Sequence, residues 1–249
     1  MAQKCILAIL AHPDDAEFLC GGVLIRLKRE HGWDVHVASM TPGDCGSAEH
    51  SAEQIARIRR AEGADAAASI GGVYHCVEER DLLVCYNETS LKAVTRLMRQ
   101  VRPQIVLTHS PTCYHLDHEQ TSTIVRAAAF AAPVPLFIPS EGPILDHVPH
   151  LYYCDALEGK DAFGREVAPG FCIDISSVIE DKVNMLACHA SQRNWLLKHH
   201  GMDNYLIALR DWSAHRGKQH GVAYAEGFRQ HLGHGYPQSN LLGQLLGIV

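Results

Sequence analysis

Two rhythms of apolar and polar positions alternate along the first half of the chain. Cys5-Ile6-Leu7-Ala8-Ile9-Leu10-Ala11 is a short, unbroken apolar run that precedes Pro13, and it predicts a buried strand. From Ala16 to Glu30 the apolar residues Phe18, Leu19, Val23, Leu24 and Leu27 recur at helical spacing. The same pair of signals returns three times. Val35 to Met40 predicts a strand, and Ala52 to Ser69 a helix that Gly71-Gly72 stops. Val73 to Val77 predicts a strand, and Thr89 to Val101 a helix that ends before Pro103. Gln104 to His109 predicts a fourth buried strand, and Gln120 to Ala131 another helix. Alternating strands and helices indicate an α/β fold with a mostly parallel sheet flanked by helices.

The pattern changes after Ala132. Pro133, Pro135, Pro139, Pro143 and Pro149 predict a long irregular loop, of the kind that forms lids or substrate walls. Leu151 to Asp155 and Phe171 to Ile175 predict two more strands around a turn-rich segment from Glu158 to Gly170. Ser176 or Ser177 is placed to cap a helix reaching about His189. The tail from Asn194 to Gln230 reads as mostly helical and polar, and the apolar end Leu241 to Leu246 suits either an interface strip or ordinary packing. With no repeat and no flexible linker, residues 1–249 read as one domain, with a core over 1–132. Wall loops, extra strands and a helical C-terminal appendage fill 133–249.

Composition narrows the functional classes. A net charge of −6 gives no basic surface for nucleic acid, which is excluded as a partner. Nine cysteines without a CxxC pair argue for free thiols in a reducing compartment, hence a cytoplasmic protein. No segment reads as a signal peptide or a membrane span. Most of the seventeen histidines lie in polar contexts where a solvated ring is the default.

His12-Pro13-Asp14-Asp15 is different, because it falls where the first strand gives way to a helix, the ligand-binding edge of an open α/β sheet. Taken alone, Asp14 or Asp15 could simply cap that helix. A second set, His115, Asp117 and His118, follows the fourth strand at the same kind of position. His12 and Asp15 with one of these histidines would form a two-histidine, one-carboxylate metal site with an open position, the layout of a catalytic centre. Asp14 could then deprotonate water, the other histidine could protonate a leaving amine or stabilise an oxyanion, and Asp117 could orient it. Zn²⁺ and Fe²⁺ both accept this ligand set. His109 could support the site or be an ordinary loop residue. Asp44, in the Gly-rich loop Thr41 to Ser47, could bind substrate hydroxyls or only fix its turn. Glu78 to Asp81 could line the pocket or be a solvated charged loop.

Ala11 to Asp15 followed by Gly21-Gly22, together with His115 to His118, resembles the PIG-L/LmbE family of metal-dependent N-deacetylases. Thr41 to Ser47, Arg59 to Glu62, Arg102 to His109 and Tyr224 to Arg229 are similar to the family as well. The resemblance implies a Rossmann-like fold, His12, Asp15 and His118 as zinc ligands, and Asp14 as general base. It further implies His115 as general acid or oxyanion stabiliser tuned by Asp117, Arg59 as a substrate contact, and Tyr114 as an aromatic that swings over the site. The expected reaction is hydrolysis of an N-acetyl group from a GlcNAc-type amino sugar or conjugate, with water activated at the metal. The partner is then a small N-acetylated molecule, and a homo-oligomer is left open. The alternatives are an amidase on a thiol conjugate or antibiotic precursor, and a non-catalytic sugar-binding or nucleotide-binding Rossmann domain. Selectivity is expected in the Pro-rich stretch 133–149.

Overall fold

In a computed structural model, residues 4–139, 143–193 and 204–249 are described. Their elements run β1 (Cys5–Leu10), α1 (Asp15–His31), β2 (Asp34–Ser39), α2 (Ala52–Ser69), β3 (Val73–Cys76), α3 (Glu88–Val101), β4 (Ile105–Thr108) and α4 (Leu116–Ala131). There follow β5 (His150–Cys154), β6 (Phe171–Asp174), α5 (Ile179–Ala187), α6 (Asn204–His220), β7 (Ala225–Gln230) and α7 (Leu241–Leu246). The seven strands form one sheet in the order β3-β2-β1-β4-β5-β7-β6. All neighbours are parallel except at β7, which runs antiparallel to both β5 and β6.

Side chains of β1 explain its unbroken apolar sequence. Ile6, Ala8 and Leu10 pack in the layer with α1 and α5, whereas Cys5, Leu7 and Ile9 pack in the layer with α3 and α4. A strand covered on both faces has no polar face to show. The chain goes from β1 outward to β2 and β3, then crosses back to β4 on the other side of β1. The loops after β1 and β4 therefore diverge at a topological switch point, where this class of sheet opens a crevice.

Gly21-Gly22 has a packing reason. Glu226 on β7 accepts hydrogen bonds from the backbone N–H groups of Gly22 (2.7 Å) and Val23 (2.9 Å). A Cβ at Gly22 would lie 2.6 Å from Ile175 Cγ2 and 3.0 Å from Glu226 Oε1. Lys182 neutralises this buried carboxylate at 2.8 Å.

Four expectations change. Ala225 to Gln230 is a strand inside the sheet and not part of a helical tail; Glu226 and Arg229 gave it a polar composition, although Glu226 is buried against α1. Residues 194–203 of that tail lie outside the described residues, while α6 is helical as expected. Helix α4 starts at Leu116, four residues early, because the His115 side chain caps it by accepting from Asp117 N–H (3.1 Å). Neither Ser176 nor Ser177 caps α5. A 3-10 turn over Ser176–Val178 intervenes, and Ser176 Oγ donates to Asp174 instead.

The Pro-rich connection is the fourth. Its described residues pack against the α3–β4 connection at the amino edge of the strands. Arg99 donates to the carbonyls of Ala132, Val134 and Ile138, Arg102 to that of Ile144, and His147 contacts Pro103. An α-to-β connection in a parallel sheet returns to that edge, opposite the one where β1 and β4 end, so these residues do not wall the crevice. The apolar end forms α7, whose Leu242 and Leu246 are buried in the core. No helix among the described residues is long and apolar enough to cross a membrane.

Candidate metal centre and active site

The turn after β1 puts its two aspartates to different uses. Asp14 has φ 106° and ψ −27°, a left-handed conformation that is costly for a residue with a Cβ. Its carbonyl accepts from Phe18 N–H to start α1, but its carboxylate makes no cap bond. Helix capping is therefore not what the Asp14 side chain does. Asp15 turns back, accepting from His12 N–H at 2.8 Å.

Asp15 Oδ2 lies 3.3 Å from His12 Nδ1 and 3.7 Å from His118 Nε2, and donor atoms of the three residues fall within 4.8 Å of one another. Donors around a tetrahedral zinc, with bonds of roughly 2.0–2.1 Å, stand roughly 3.3–3.4 Å apart. The spacing and chemistry of the set therefore fit a divalent metal. The opposite nitrogen of each ring is held from behind. His12 Nε2 faces Asp81 Oδ1 (3.1 Å) and Asp117 Oδ2 (3.4 Å), and His118 Nδ1 contacts Cys113 Sγ (3.2 Å). Such outer contacts fix which nitrogen a histidine offers to a metal.

His109, buried at the end of β4, stacks on His118 with ring centroids 3.9 Å apart and planes 6° from parallel. Its Nε2 stands between Ala11 N–H (3.0 Å) and Asp15 Oδ2 (3.1 Å). His115 and Tyr114 complete the edge, with the exposed Tyr114 ring edge-on to both His115 and His118. The Asp117 carboxylate takes Leu82 N–H (2.7 Å) and faces His12; what it offers His115 is its backbone N–H.

Arg59 is buried beneath the turn, donating to Pro13 O (2.8 Å) and Asp14 Oδ2 (3.3 Å), with Nε unpartnered. Gly43 makes room for it, being left-handed (φ 69°) with its missing Cβ directed at the guanidinium. Glu62, one turn along α2, is taken by Ser191 and leaves Arg59 to the turn. Asp44 accepts from Asp81 N–H (2.9 Å) and so braces the residue behind His12.

The protonation states follow from this crowding. Burial raises the Asp14 carboxyl, against the pull of Arg59. Burial works the same way on Asp15, but His118 and His109 outweigh it and hold Asp15 well below the carboxylate range. Burial would lower His12, yet Asp117, Asp15 and Asp81 carry it well above its ordinary value. His118 is pushed down to about 2, chiefly by burial and then by His109.

Two contributors went unseen in the sequence, and a third, Asp81, was visible only as part of a charged run that could line the pocket. Asp81 sits in the charged run Glu78 to Asp81 yet is buried on His12. Tyr205 on α6 donates its hydroxyl to Asp14 Oδ2 at 2.6 Å. His189 is fully buried, with Nε2 3.2 Å from Glu17 Oε1 but poorly aligned for a hydrogen bond. For Asp81, the only available signal was a carboxylate in the loop after a sheet strand; Tyr205 carried none.

A sheet crevice that brings a two-histidine, one-carboxylate donor set beside a further carboxylate is the kind of site an α/β enzyme can use to hold a divalent metal. Comparison with known proteins agrees with that class. Residues 7–129 match the model of the PIG-L family, described as GlcNAc-PI de-N-acetylase. A diacetylchitobiose deacetylase of Thermococcus kodakarensis is 28% identical over 241 residues, covering 91% of this chain and 82% of the relative. A 4-oxalmesaconate hydratase of Pseudomonas putida is 26% identical over 200 residues, covering 77% and 75%. The fold is also that of N,N'-diacetylchitobiose deacetylase from Pyrococcus horikoshii, with a TM-score of 0.78 at 24% identity over 96% of this chain and 88% of that one.

Proposed function

We infer that this protein is a metal-dependent hydrolase that removes the N-acetyl group from a GlcNAc-type amino sugar or sugar conjugate. The observation that carries the reading is the Asp14 carboxylate, half-buried in the turn that also carries His12 and Asp15 and not spent on capping its helix. Those three residues would hold the metal, Zn²⁺ or Fe²⁺, which when bound acidifies water and polarises the acetyl carbonyl. Asp14 takes the proton from the attacking water. His115, whose Nδ1 is occupied by accepting Asp117 N–H, presents Nε2–H to the developing oxyanion or the departing amine. Arg59 holds the turn that carries Asp14. Asp44 supports the loop opposite, and Tyr114 closes over the acetyl group as the exposed aromatic of the mouth.

Addition of water to an unsaturated oxo-acid, as the Pseudomonas relative's name describes, is the second reading. The charge of the site argues against it. Asp14, Asp15, Asp44, Asp81 and Asp117 surround the crevice, while Arg59 is committed to Asp14 and Arg80 contacts Asp44. A neutral acetamide with hydroxyls suits that surface better than a polycarboxylate.

Acetate release from N-acetyl amino sugars and non-sugar N-acetyl amides, beside loss of the conjugated C=C absorbance of unsaturated oxo-acids, separates the readings. Sugars should be turned over with Zn²⁺ present, and Asp14→Ala should keep the metal while losing roughly 10²–10⁴-fold in kcat. Failure to turn over any sugar would overturn the substrate class, and a near wild-type D14A would overturn the base.

A further inference from the structure

Asp14 receives both of its side-chain hydrogen bonds on one oxygen. Tyr205 donates to Oδ2 at 2.6 Å and Arg59 Nη2 at 3.3 Å; among the described residues no donor reaches Oδ1. A carboxylate turns about a broad, nearly two-fold torsion, so its functional orientation has to be imposed from outside. The shorter bond, and the one whose donor has no other partner among the described residues, is that of Tyr205. Arg59 divides its guanidinium among Asp14, Pro13 O and Gly43 O.

Tyr205 is well built for a permanent donor. It packs against the core at the start of α6, and burial together with Asp14 keeps its hydroxyl protonated far above its ordinary range. A phenol that cannot ionise beside Asp14 cannot compete for the proton Asp14 takes. It can only hold the carboxylate by Oδ2, which leaves Oδ1 without a donor among the described residues.

We propose that Tyr205 is a positioning residue for the general base: it anchors Asp14 Oδ2 so that Oδ1 faces the attacking water. This rests on the reading of Asp14 given above. The second half of the chain then contributes to the chemistry through α6, 191 residues from the group it orients. No proton passes through Tyr205; the water's proton goes to Asp14 Oδ1 and from there to the leaving amine.

The test is a double-mutant cycle on the metal-loaded protein with an N-acetyl amino sugar. Tyr205→Phe keeps the ring and removes only the hydroxyl. It should lower kcat roughly 10- to 100-fold, the range expected for losing a hydrogen bond to a charged group, with KM and metal content unchanged. In the Asp14→Asn background the same change should alter the residual rate less than about 2-fold, because the oriented base is already gone. Losses that multiply, or a Y205F kcat within about 2-fold of wild type, would overturn the proposal. Replacing Tyr205 by a series of fluorotyrosines covers the case in which Y205F folds poorly: kcat must vary with phenol acidity, and a flat series overturns the proposal too. An Asp14→Asn variant with near wild-type kcat would instead overturn the underlying reading of Asp14.

Discussion

Gly22→Ala should destabilise the protein although it lies within a helix, where alanine is normally the better residue by about 1 kcal/mol. At Gly22 the new Cβ would stand 2.6 Å from Ile175 Cγ2, 2.8 Å from Ile175 Cβ and 3.0 Å from Glu226 Oε1. Ile175 is fully buried, so it has no solvent to move into. Overpacking of this kind costs about 1–3 kcal/mol. Glu226 would be pushed as well, and it is the acceptor for Gly22 N–H and Val23 N–H and the partner of buried Lys182. A weakened hydrogen bond at a buried charge adds about 1–3 kcal/mol. Set against the helix gain, the net loss is about 1–5 kcal/mol, or about 2–20 °C in Tm for a chain of this size. Thermal melts of wild type, G22A, I175A and the double variant measure it. Ile175→Ala alone opens a cavity, and adding Gly22→Ala to it should cost little, because the clashing side chain is gone. An unchanged or raised Tm for G22A, or full additivity in the double variant, would refute the packing argument.

Three further outcomes are expected. Asp81→Ala removes the carboxylate 3.1 Å behind His12 and should weaken metal binding roughly 10- to 100-fold, read by titration against a chelator; an unchanged affinity would show that Asp117 suffices alone. Arg99→Ala, which frees three backbone carbonyls of the Pro-rich connection, should lower stability by about 2–4 kcal/mol and leave kcat/KM within about 2-fold; a changed substrate preference would return that connection to the site. His36 Nδ1 and His75 Nε2 are 2.9 Å apart, and both rings are held below their ordinary pKa, by burial first. The unfolded chain therefore takes up protons first as pH falls, so this contribution is full above about pH 6.5 and is lost below it. Melts from pH 7.5 to 5.5 should show the decline, and H36Q/H75Q should flatten it.

What could be read in the sequence was what is local. HPDD and HLDH each sit within four residues, at strand-to-helix junctions that the apolar pattern had already located, and the structure brings the two together across β1 and β4. The groups that hold them from behind are single residues in unremarkable surroundings. Asp81 is the last of four charged residues, and nothing local separates it from Glu78, which pairs with Arg60 near the surface. Strand β7 was hidden by its two charges, one of which neutralises Lys182 in the core. The Pro-rich segment was misplaced for a different reason: composition indicates irregular backbone, but only the direction of β4 and β5 shows at which edge it lies.

The match to the family model ends at residue 129 and already contains every donor of the candidate metal set, as well as Asp14 and His115. The second half supplies the constraints. Glu226 holds the backbone of α1 seven and eight residues beyond Asp15, Tyr205 holds the carboxylate of Asp14, and Arg229 donates to Ser110 in the loop that leads to His115. Tyr205 and Arg229 each act on one of the two loops that form the crevice, and Glu226 acts on the helix that follows the first of them. A two-histidine, one-carboxylate set needs only the spacing that β1 and β4 provide, but a base must also point the right way. On this architecture, substitutions after residue 129 should act on turnover more than on metal binding, because they reach the base and the loops while the metal donors are held from within the first half.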